Sequence, residues 1–336
     1  MLYSYAQEGA KNTLSHTAAL LAYLAFALLF ACAVLALVAY RLLVRRRPHA
    51  PAWIEARLLQ KGEIEASWLG RPWESARISS PQGYELAVHG LSGGGRKLAV
   101  FQHGITWNWV AVIQYMEIFR KAGWSVVAFD SRGHGESGGR GPSFGIHEKD
   151  DLAAVVSYAT SHYPAEDGLV VFGLSLGAAT VLQYGAKYAP RGSEAKLPVP
   201  DALIADCPFS DLSLALRARL ADIRVLPPLR PLVVALVDLL CRALSGFSLR
   251  ASSPERAVLE TDLPILFIHG LADAYVPSSM SVRMARRRKE LRPGALTELC
   301  LVPGAGHARS LKVNPGAYER AIFDFLGDCG LPASRY

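Results

Sequence analysis

The chain has 336 residues, 51% of them apolar, which allows one large domain or two small ones around a sizeable core. Its formal net charge of +7 looks like a nucleic-acid signal only until it is located: residues 1–49 hold net +4, and the rest is spread thinly apart from Arg286-Arg287-Arg288-Lys289, which reads as a solvated helix face. The five cysteines, at 32, 207, 241, 300 and 329, are odd in number and lack metal-ligand spacing, so neither a disulfide scaffold nor a metal site is expected, and no cofactor either.

Between Thr17 and Tyr40 lie 24 residues without a charge, rich in Leu, Ala, Phe and Val. A helix of that length crosses a hydrocarbon layer, whereas a buried core helix rarely lacks a polar face for so long. Cleaved signal peptides carry their positive charges in front and end in a small-residue site. Here only Glu8, Lys11 and the amino terminus precede the segment, while Arg41, Arg45, Arg46 and Arg47 follow it. The asymmetry predicts an uncleaved single-pass anchor over 17–44, behind a short flank 1–16, with the large domain in the cytoplasm. The four arginines are expected to meet anionic headgroups of the lipid bilayer rather than nucleic acid. Residues 45–74 then read as a basic juxtamembrane connector with a short amphipathic stretch at Trp53–Leu59.

Beyond the connector, short apolar runs read as strands at Glu85–His89, Leu98–Gln102, Ser125–Asp130, Leu169–Phe172, Ala202–Asp206, Ile265–His269 and Glu298–Val302. Helical patterns fill 107–121, 147–160, 176–189, 278–290 and 316–326. This alternation implies an α/β fold with a doubly wound, mostly parallel sheet covered on both faces. One interval breaks the rhythm: nearly 60 residues separate Asp206 from Ile265, including the apolar Leu214–Leu220 and Pro231–Leu240. It reads as a helical cap insertion at about 207–255, placed after a strand carboxyl end and so above the expected site.

Gly173-Leu174-Ser175-Leu176-Gly177 matches G-x-S-x-G, a weak pattern alone. Here an apolar run leads into it, and Leu176-Gly177-Ala178-Ala179-Thr180 opens a helix after it. Ser175 is therefore a candidate nucleophile on a sharp strand-to-helix turn, where both flanking positions need minimal side chains. A serine hydroxyl needs an adjacent base, and the base needs an acid that fixes its tautomer. In doubly wound hydrolases the chain order is Ser, acid, His, and only His269 and His307 follow residue 175.

His269 ends a strand and reads as structural. His307, in Pro303-Gly304-Ala305-Gly306-His307, can swing over the sheet edge from the last strand and is the candidate base. Two acids compete. Asp273 follows the strand next before His307 and is favoured; Asp206, closing the strand before that, is the alternative. A tetrahedral intermediate also needs preorganised N–H donors. The amide of Leu176, at a helix start, is one. The other is expected in His103-Gly104-Ile105-Thr106-Trp107-Asn108, with Ile105 preferred and Thr106 the second choice. Asp130, which leads into Ser131–Ser137, reads as a shaper of the site.

Together, HGITWN at 103, DSRGHGESGG at 130, GLSLGAAT at 173, ADCPFSD at 205, IHGLADAYVP at 268 and PGAGHARS at 303 resemble the α/β-hydrolase superfamily, most closely its serine aminopeptidase-like and cinnamoyl-esterase-like branch. The likeness spans about residues 75–328. It implies an α/β-hydrolase domain over 75–330, with Ser175 as nucleophile, Asp273 as triad acid, His307 as base and oxyanion amides at Ile105 and Leu176. It also makes 207–255 look like the cap that shapes the substrate pocket. The expected activity is hydrolysis of carboxylic esters of apolar acyl groups by a membrane-anchored serine hydrolase. Aminopeptidase-like cleavage of a peptide substrate and an inactive membrane-tethered binding protein are the alternatives.

Overall fold

A computed structural model describes residues 2–192 and 198–331, with side chains from His16 onward; the side chains of Glu8 and Lys11, the outer flank of the charge asymmetry, lie outside the described residues. Eight strands, Glu74–Ser79 (β1), Glu85–Leu91 (β2), Lys97–Gln102 (β3), Ser125–Phe129 (β4), Gly168–Leu174 (β5), Ala202–Asp206 (β6), Ile265–Gly270 (β7) and Thr297–Val302 (β8), form one sheet. Their order is β1-β2-β4-β3-β5-β6-β7-β8. Strand β2 pairs antiparallel with β1 and β4, and every pairing from β4 to β8 is parallel. The longer helices are Leu2–Ala39 (α1), Pro51–Gln60 (α2), Ile113–Lys121 (α3), Glu148–His162 (α4), Leu176–Tyr188 (α5), Leu212–Asp222 (α6), Arg230–Leu240 (α7), Ser279–Leu291 (α8) and Pro315–Asp328 (α9).

The inner strands are apolar along their whole length because both faces are covered: every residue of β4, β5 and β6 is buried. Side chains alternate between two cores. Ala99, Phe101, Val170 and Phe172 join α3 and α9 on one face, while Leu98, Val100, Leu169 and Val171 join α4, α5 and α8 on the other. Strand β1 is the one the sequence hides. It is an edge strand with exposed or half-buried residues throughout, and only Ala76 and Ile78 interrupt its polar run, so no periodic apolar signal marks it.

The chain runs from β3 outward to β4, then jumps back over β3 to β5 and continues the other way. The carboxyl ends of β3 and β5 therefore flank the point where strand order reverses, and a crevice opens there. The loop 103–108 and Ser175 both sit at that point.

Between β6 and β7 the chain forms the expected helical cap. Leu216 and Leu220 of α6 pack with Val233 and Val237 of α7 in a third apolar cluster. Cys32, Ala36, Ala39 and Tyr40 of the α1 exit complete this cluster. Their spacing places them on one stripe, and three small side chains let α1 close onto α7. Tyr40 Oη and Ser245 Oγ lie 2.7 Å apart at the end of that contact. Elsewhere α1 exposes Leu21, Tyr23, Phe26 and Phe30. Among the described residues one helical stretch, His16–Val44, is long and apolar enough to cross a membrane, and nearly all of its most apolar part is exposed. It ends in a π-helical turn, Tyr40–Val44, from which the chain crosses the domain to α2.

Candidate active site

Ser175 stands between β5 and α5 with φ 55° and ψ −108°, a conformation L residues seldom adopt. The glycines on either side make the turn possible. A Cβ on Gly173 would meet the Gly177 carbonyl carbon at 2.4 Å, and one on Gly177 would meet Gln102 O on β3 at 2.2 Å. The turn thus lifts the hydroxyl above the sheet, where Ser175 retains 8% exposure.

Ser175 Oγ lies 2.8 Å from His307 Nε2, and His307 Nδ1 lies 2.6 Å from Asp273 Oδ2. The loops after β7 and β8, which carry the acid and the imidazole, are stitched together: Leu271 N donates to Val302 O and Ala272 N to Ala305 O, both at 2.9 Å. Asp273 is fixed from below by the amides of Tyr275 and Val276, each 2.8 Å from Oδ1. Burial alone would raise its pKa, but hydrogen bonds from His269 and His307 outweigh that, and the carboxylate is held well below its usual range. It remains an anion able to orient His307 and stabilise an imidazolium. The hydroxyl, base and acid form one unbroken proton path suited to nucleophilic attack on a carbonyl.

The sequence-favoured acid is therefore the one that touches His307. Asp206 is not hydrogen-bonded to either histidine: its Oδ2 accepts from Tyr318 Oη at 2.8 Å. Burial pushes its carboxyl up to about 6. Its backbone still serves the turn, because Asp206 O accepts the Ser175 amide at 2.8 Å. His269, read as structural, also reaches the triad acid. Its Nε2 lies 3.2 Å from Asp273 Oδ2 and 3.0 Å from Val276 O, and its Nδ1 is 2.7 Å from Ser281 Oγ. It braces the acid at the same oxygen, Oδ2, that meets His307.

Leu176 is the first residue of α5, where helix geometry leaves its amide without an intrahelical acceptor. In the loop after β3, Thr106 N is already committed to His134 Nε2 at 3.0 Å, so Ile105 is the better-placed second donor of the two considered. A second cross-link holds the same loop: Ser131 N donates to His103 Nε2 at 2.9 Å. Asp130 accepts from the amides of Trp109 at 2.9 Å and Glu136 at 2.8 Å. These bonds bind the loop after β3 to the loop after β4.

Cys207, Asp273 and His307 present donor atoms within 4.8 Å of one another. Asp273 and His307 are already joined, and burial raises the Cys207 thiol so that it keeps its proton. The group is better matched to a proton path than to a cation.

Two spaces meet at Ser175. One, of about 350 Å³, has His307, Gln114, Arg46 and Glu63 in its wall. The other, of about 70 Å³, is an apolar slot between Leu43 and Val44 on one side and Leu212, Ala215 and Leu216 on the other. Tyr275 borders both, its ring 4.9 Å from that of His307. The contribution of Leu43, Val44 and Arg46 was invisible in the sequence, where they read as the end of the apolar helix and its basic flank. Of the four arginines expected at headgroups, Arg41 and Arg47 are exposed, but two are engaged with the domain. Arg45 donates to Arg140 O, and Arg46 Nη1 donates to Tyr275 Oη at 3.0 Å.

Comparison with known proteins places these observations in a wider set. Residues 94–222 match the family model described as serine aminopeptidase, S33. An uncharacterized Bacillus subtilis protein, YqkD, is 33% identical over 247 residues, which cover 73% of this chain and 74% of that one. A monoacylglycerol lipase of Mycolicibacterium smegmatis is 29% identical over 227 residues, covering 59% of this chain and 73% of the lipase. Among solved structures, the Pyrococcus furiosus esterase Pf2001 superposes with TM-score 0.60 at 24% identity, covering 79% of this chain and 96% of the esterase. At that identity the likeness speaks for the fold.

Proposed function

The chain belongs to the α/β-hydrolase superfamily, and on that premise we propose that it is a membrane-anchored hydrolase of carboxylic esters with Ser175, His307 and Asp273 as its triad. It is a serine hydrolase that works through an acyl-enzyme. The observation that carries the ester reading is the division of space around Ser175. A leaving group must depart on the side of the base that protonates it. His307 borders the larger space and not the slot, so the larger space takes the alcohol and the slot takes the acyl group.

In this reading His307 Nε2 accepts the Ser175 proton as Oγ attacks the carbonyl carbon. The amides of Ile105 and Leu176 hold the resulting oxyanion. His307 then gives its proton to the leaving alcohol. A water entering the same space loses a proton to His307 as it attacks the acyl carbon, and His307 returns that proton to Ser175 Oγ as the acid leaves. Asp273 keeps the imidazole in the tautomer that presents a lone pair to Oγ.

Aminopeptidase action needs an acceptor for the substrate ammonium. Among the described residues lining the larger space the carboxylate is Glu63, and it is paired with Arg309 and, at 3.5 Å, Lys312. A carboxylate already neutralised by two cations is a poor ammonium site, which favours the ester.

The anchor over 17–44 is proposed from the uncharged run 17–40, with the domain on the cytoplasmic side by charge asymmetry. A hydrocarbon layer of ~30 Å takes roughly 20 helical residues. Counted from Thr17, that span ends near Ala36, one of the residues buried with the α7 cluster. Leu239 and Leu244, exposed on the cap at 60% each, would then rest against the bilayer. Arg41 and Arg47 are left to meet headgroups.

The test is covalent labelling by a fluorophosphonate together with a panel of acyl esters and amino-terminal peptide amides. Labelling lost in Ser175→Ala and turnover confined to esters are expected. A folded wild-type protein that is never labelled would end the hydrolase reading, and faster turnover of the amides would reverse the substrate class.

A further inference from the structure

Resting on that ester-hydrolase reading, we propose that the exit of α1, Leu43–Arg46, selects the substrate: a single-chain lipid ester whose leaving alcohol bears an anion, phosphate or carboxylate. Leu43 and Val44 wall the acyl slot, and Arg46 faces the leaving-group space. The same few residues thus touch both halves of a substrate bound across Ser175.

Arg46 supplies the charge. Its guanidinium has five N–H donors, and Nη1 uses one on Tyr275 Oη at 3.0 Å. Among the described residues no carboxylate pairs with it. The other arginine of the space, Arg309, is neutralised by Glu63. The leaving-group space therefore holds one uncompensated guanidinium, half-buried and held in place. Such a group is matched by a planar or tetrahedral oxyanion, which it can grip with two parallel bonds. Tyr275 links the cation to the base: its hydroxyl meets Arg46 while its ring lies 4.9 Å from that of His307. The guanidinium thus shares the space of the imidazole that protonates the leaving alcohol, and an anion carried on that alcohol is its match.

The slot supplies the chain number. At about 70 Å³ it is a small space lined mainly by apolar side chains, aliphatic and aromatic, with Arg219 also in its wall. That volume has room for the carboxyl end of one acyl chain, with the rest of a long chain running on along α1, and no room for a second chain beside it. The wall of the slot is also the end of the apolar helix. An acyl chain in the adjoining leaflet would slide along α1 into the slot without crossing water. Attack forms the bond from Ser175 Oγ to the acyl carbon; as the tetrahedral intermediate collapses, the acyl carbon–alcohol oxygen bond breaks and the anionic alcohol leaves with the proton carried by His307.

The test uses the full-length protein in phosphatidylcholine nanodiscs and palmitoyl monoesters of glycerol, glycerol 3-phosphate and glyceric acid. kcat/KM for at least one anionic ester should exceed that for the neutral one by about tenfold or more, and the preference should shrink with added salt. A preference for both anionic esters marks a general oxyanion site, and one for the phosphate alone marks a phosphate site. Arg46→Gln should lower kcat/KM on the preferred anionic ester about tenfold more than on the neutral ester, with Arg46→Lys in between. Leu43→Trp should shift the palmitoyl-to-butyryl preference toward the short chain by about tenfold. Equal rates on charged and neutral esters, or a charge preference that survives Arg46→Gln, overturn the proposal. An unchanged chain-length preference in Leu43→Trp does so as well. p-Nitrophenyl acetate separates this from its premise. Ser175-dependent acetate hydrolysis without the anionic preference sinks the lipid selection alone, whereas no turnover of any ester sinks the parent reading.

Discussion

The amide of Thr106 donates to Nε2 of His134 across 3.0 Å, and this bond takes one of the two candidate oxyanion amides out of play. The same loop is tied by Ser131 N to His103 Nε2 at 2.9 Å. Each imidazole accepts at Nε2, so each carries its proton on Nδ1, which faces Arg132 O at 2.9 Å in one case and Gly104 O at 2.7 Å in the other. Desolvation pushes both rings down to about 4, so they are neutral through the ordinary working range. Two histidines that could pass for catalytic bases thus hold the loop after β3 in place.

His134→Phe leaves the Thr106 amide buried without an acceptor and frees the loop after β3. Stability should fall by ~1–3 kcal/mol, the cost of an unsatisfied buried donor. With Ile105 no longer held in place, kcat on p-nitrophenyl acetate should drop by about 10 to 100-fold while KM moves little, because the lost interaction belongs to the transition state. Single-turnover kinetics after active-site titration would read this directly. An unchanged kcat would show that Ile105 is held by something else.

The same ring makes a pH prediction. Its folded pKa of about 4 lies below the unfolded 6.5, so between those values the unfolded chain binds more protons. Stability therefore rises with pH across that window, is fully present above 6.5 and is lost as pH falls toward 4. A shift of this size corresponds to a loss on the order of 3 kcal/mol. His134→Phe lacks that loss, so the gap in Tm between variant and wild type should narrow from pH 7 to pH 4. A gap that stays constant would mean the ring is not titrating as its burial demands.

Asp273 and Asp206 should respond oppositely to the same change. Asp273→Asn removes the anion that orients His307, and kcat should fall by about 10³ to 10⁴. Asp206→Asn keeps an acceptor for Tyr318 and should retain activity within about tenfold. Its effect on stability follows from a carboxyl raised by burial from 3.8 to about 6. The folded state binds more protons between those values, so this group costs stability as pH rises, on the order of 3 kcal/mol, with the cost complete above 6. Asp206→Asn should accordingly gain on wild type between pH 4 and pH 7. Denaturant titrations at the two pH values check this, and a relative loss on going to pH 7 would refute it.

The triad was legible because its three members lie at strand ends in a fixed order, and each short apolar run announces its strand. Ser175, Asp273 and His307 meet where that order puts them. The sheet edge was not legible, since β1 has a single strongly apolar residue, Ile78, in an otherwise polar or small run. Arg46 and Tyr275 were hidden for a different reason. Their meeting depends on α1 closing onto α7 through Cys32, Ala36 and Ala39, a tertiary contact between segments about 200 residues apart. The small-residue stripe in the uncharged segment is the one trace of it. His134 was hidden in plain view: its loop was read as shaping the site, but no spacing rule tells which amide a buried imidazole will take.

The turn at Ser175 separates chemistry from strain. Its φ of 55° with ψ of −108° costs a side-chain-bearing residue ~1–3 kcal/mol, and a glycine little. Ser175→Ala and Ser175→Gly should both abolish fluorophosphonate labelling, but only the glycine relieves the backbone. After the extra entropy of the unfolded glycine chain is set against this, Ser175→Gly should exceed Ser175→Ala in stability by about 1 kcal/mol. Gly177→Ala is the counterpart, because its Cβ would meet Gln102 O at 2.2 Å and neither backbone can yield cheaply. It should destabilise the domain by ~3 kcal/mol or more and displace Ser175 from His307. Thermal and urea unfolding of the three variants give the ranking. A Gly177→Ala protein as stable as wild type, or a Ser175→Gly protein weaker than Ser175→Ala, would mean that the turn is not held as tightly as these contacts require.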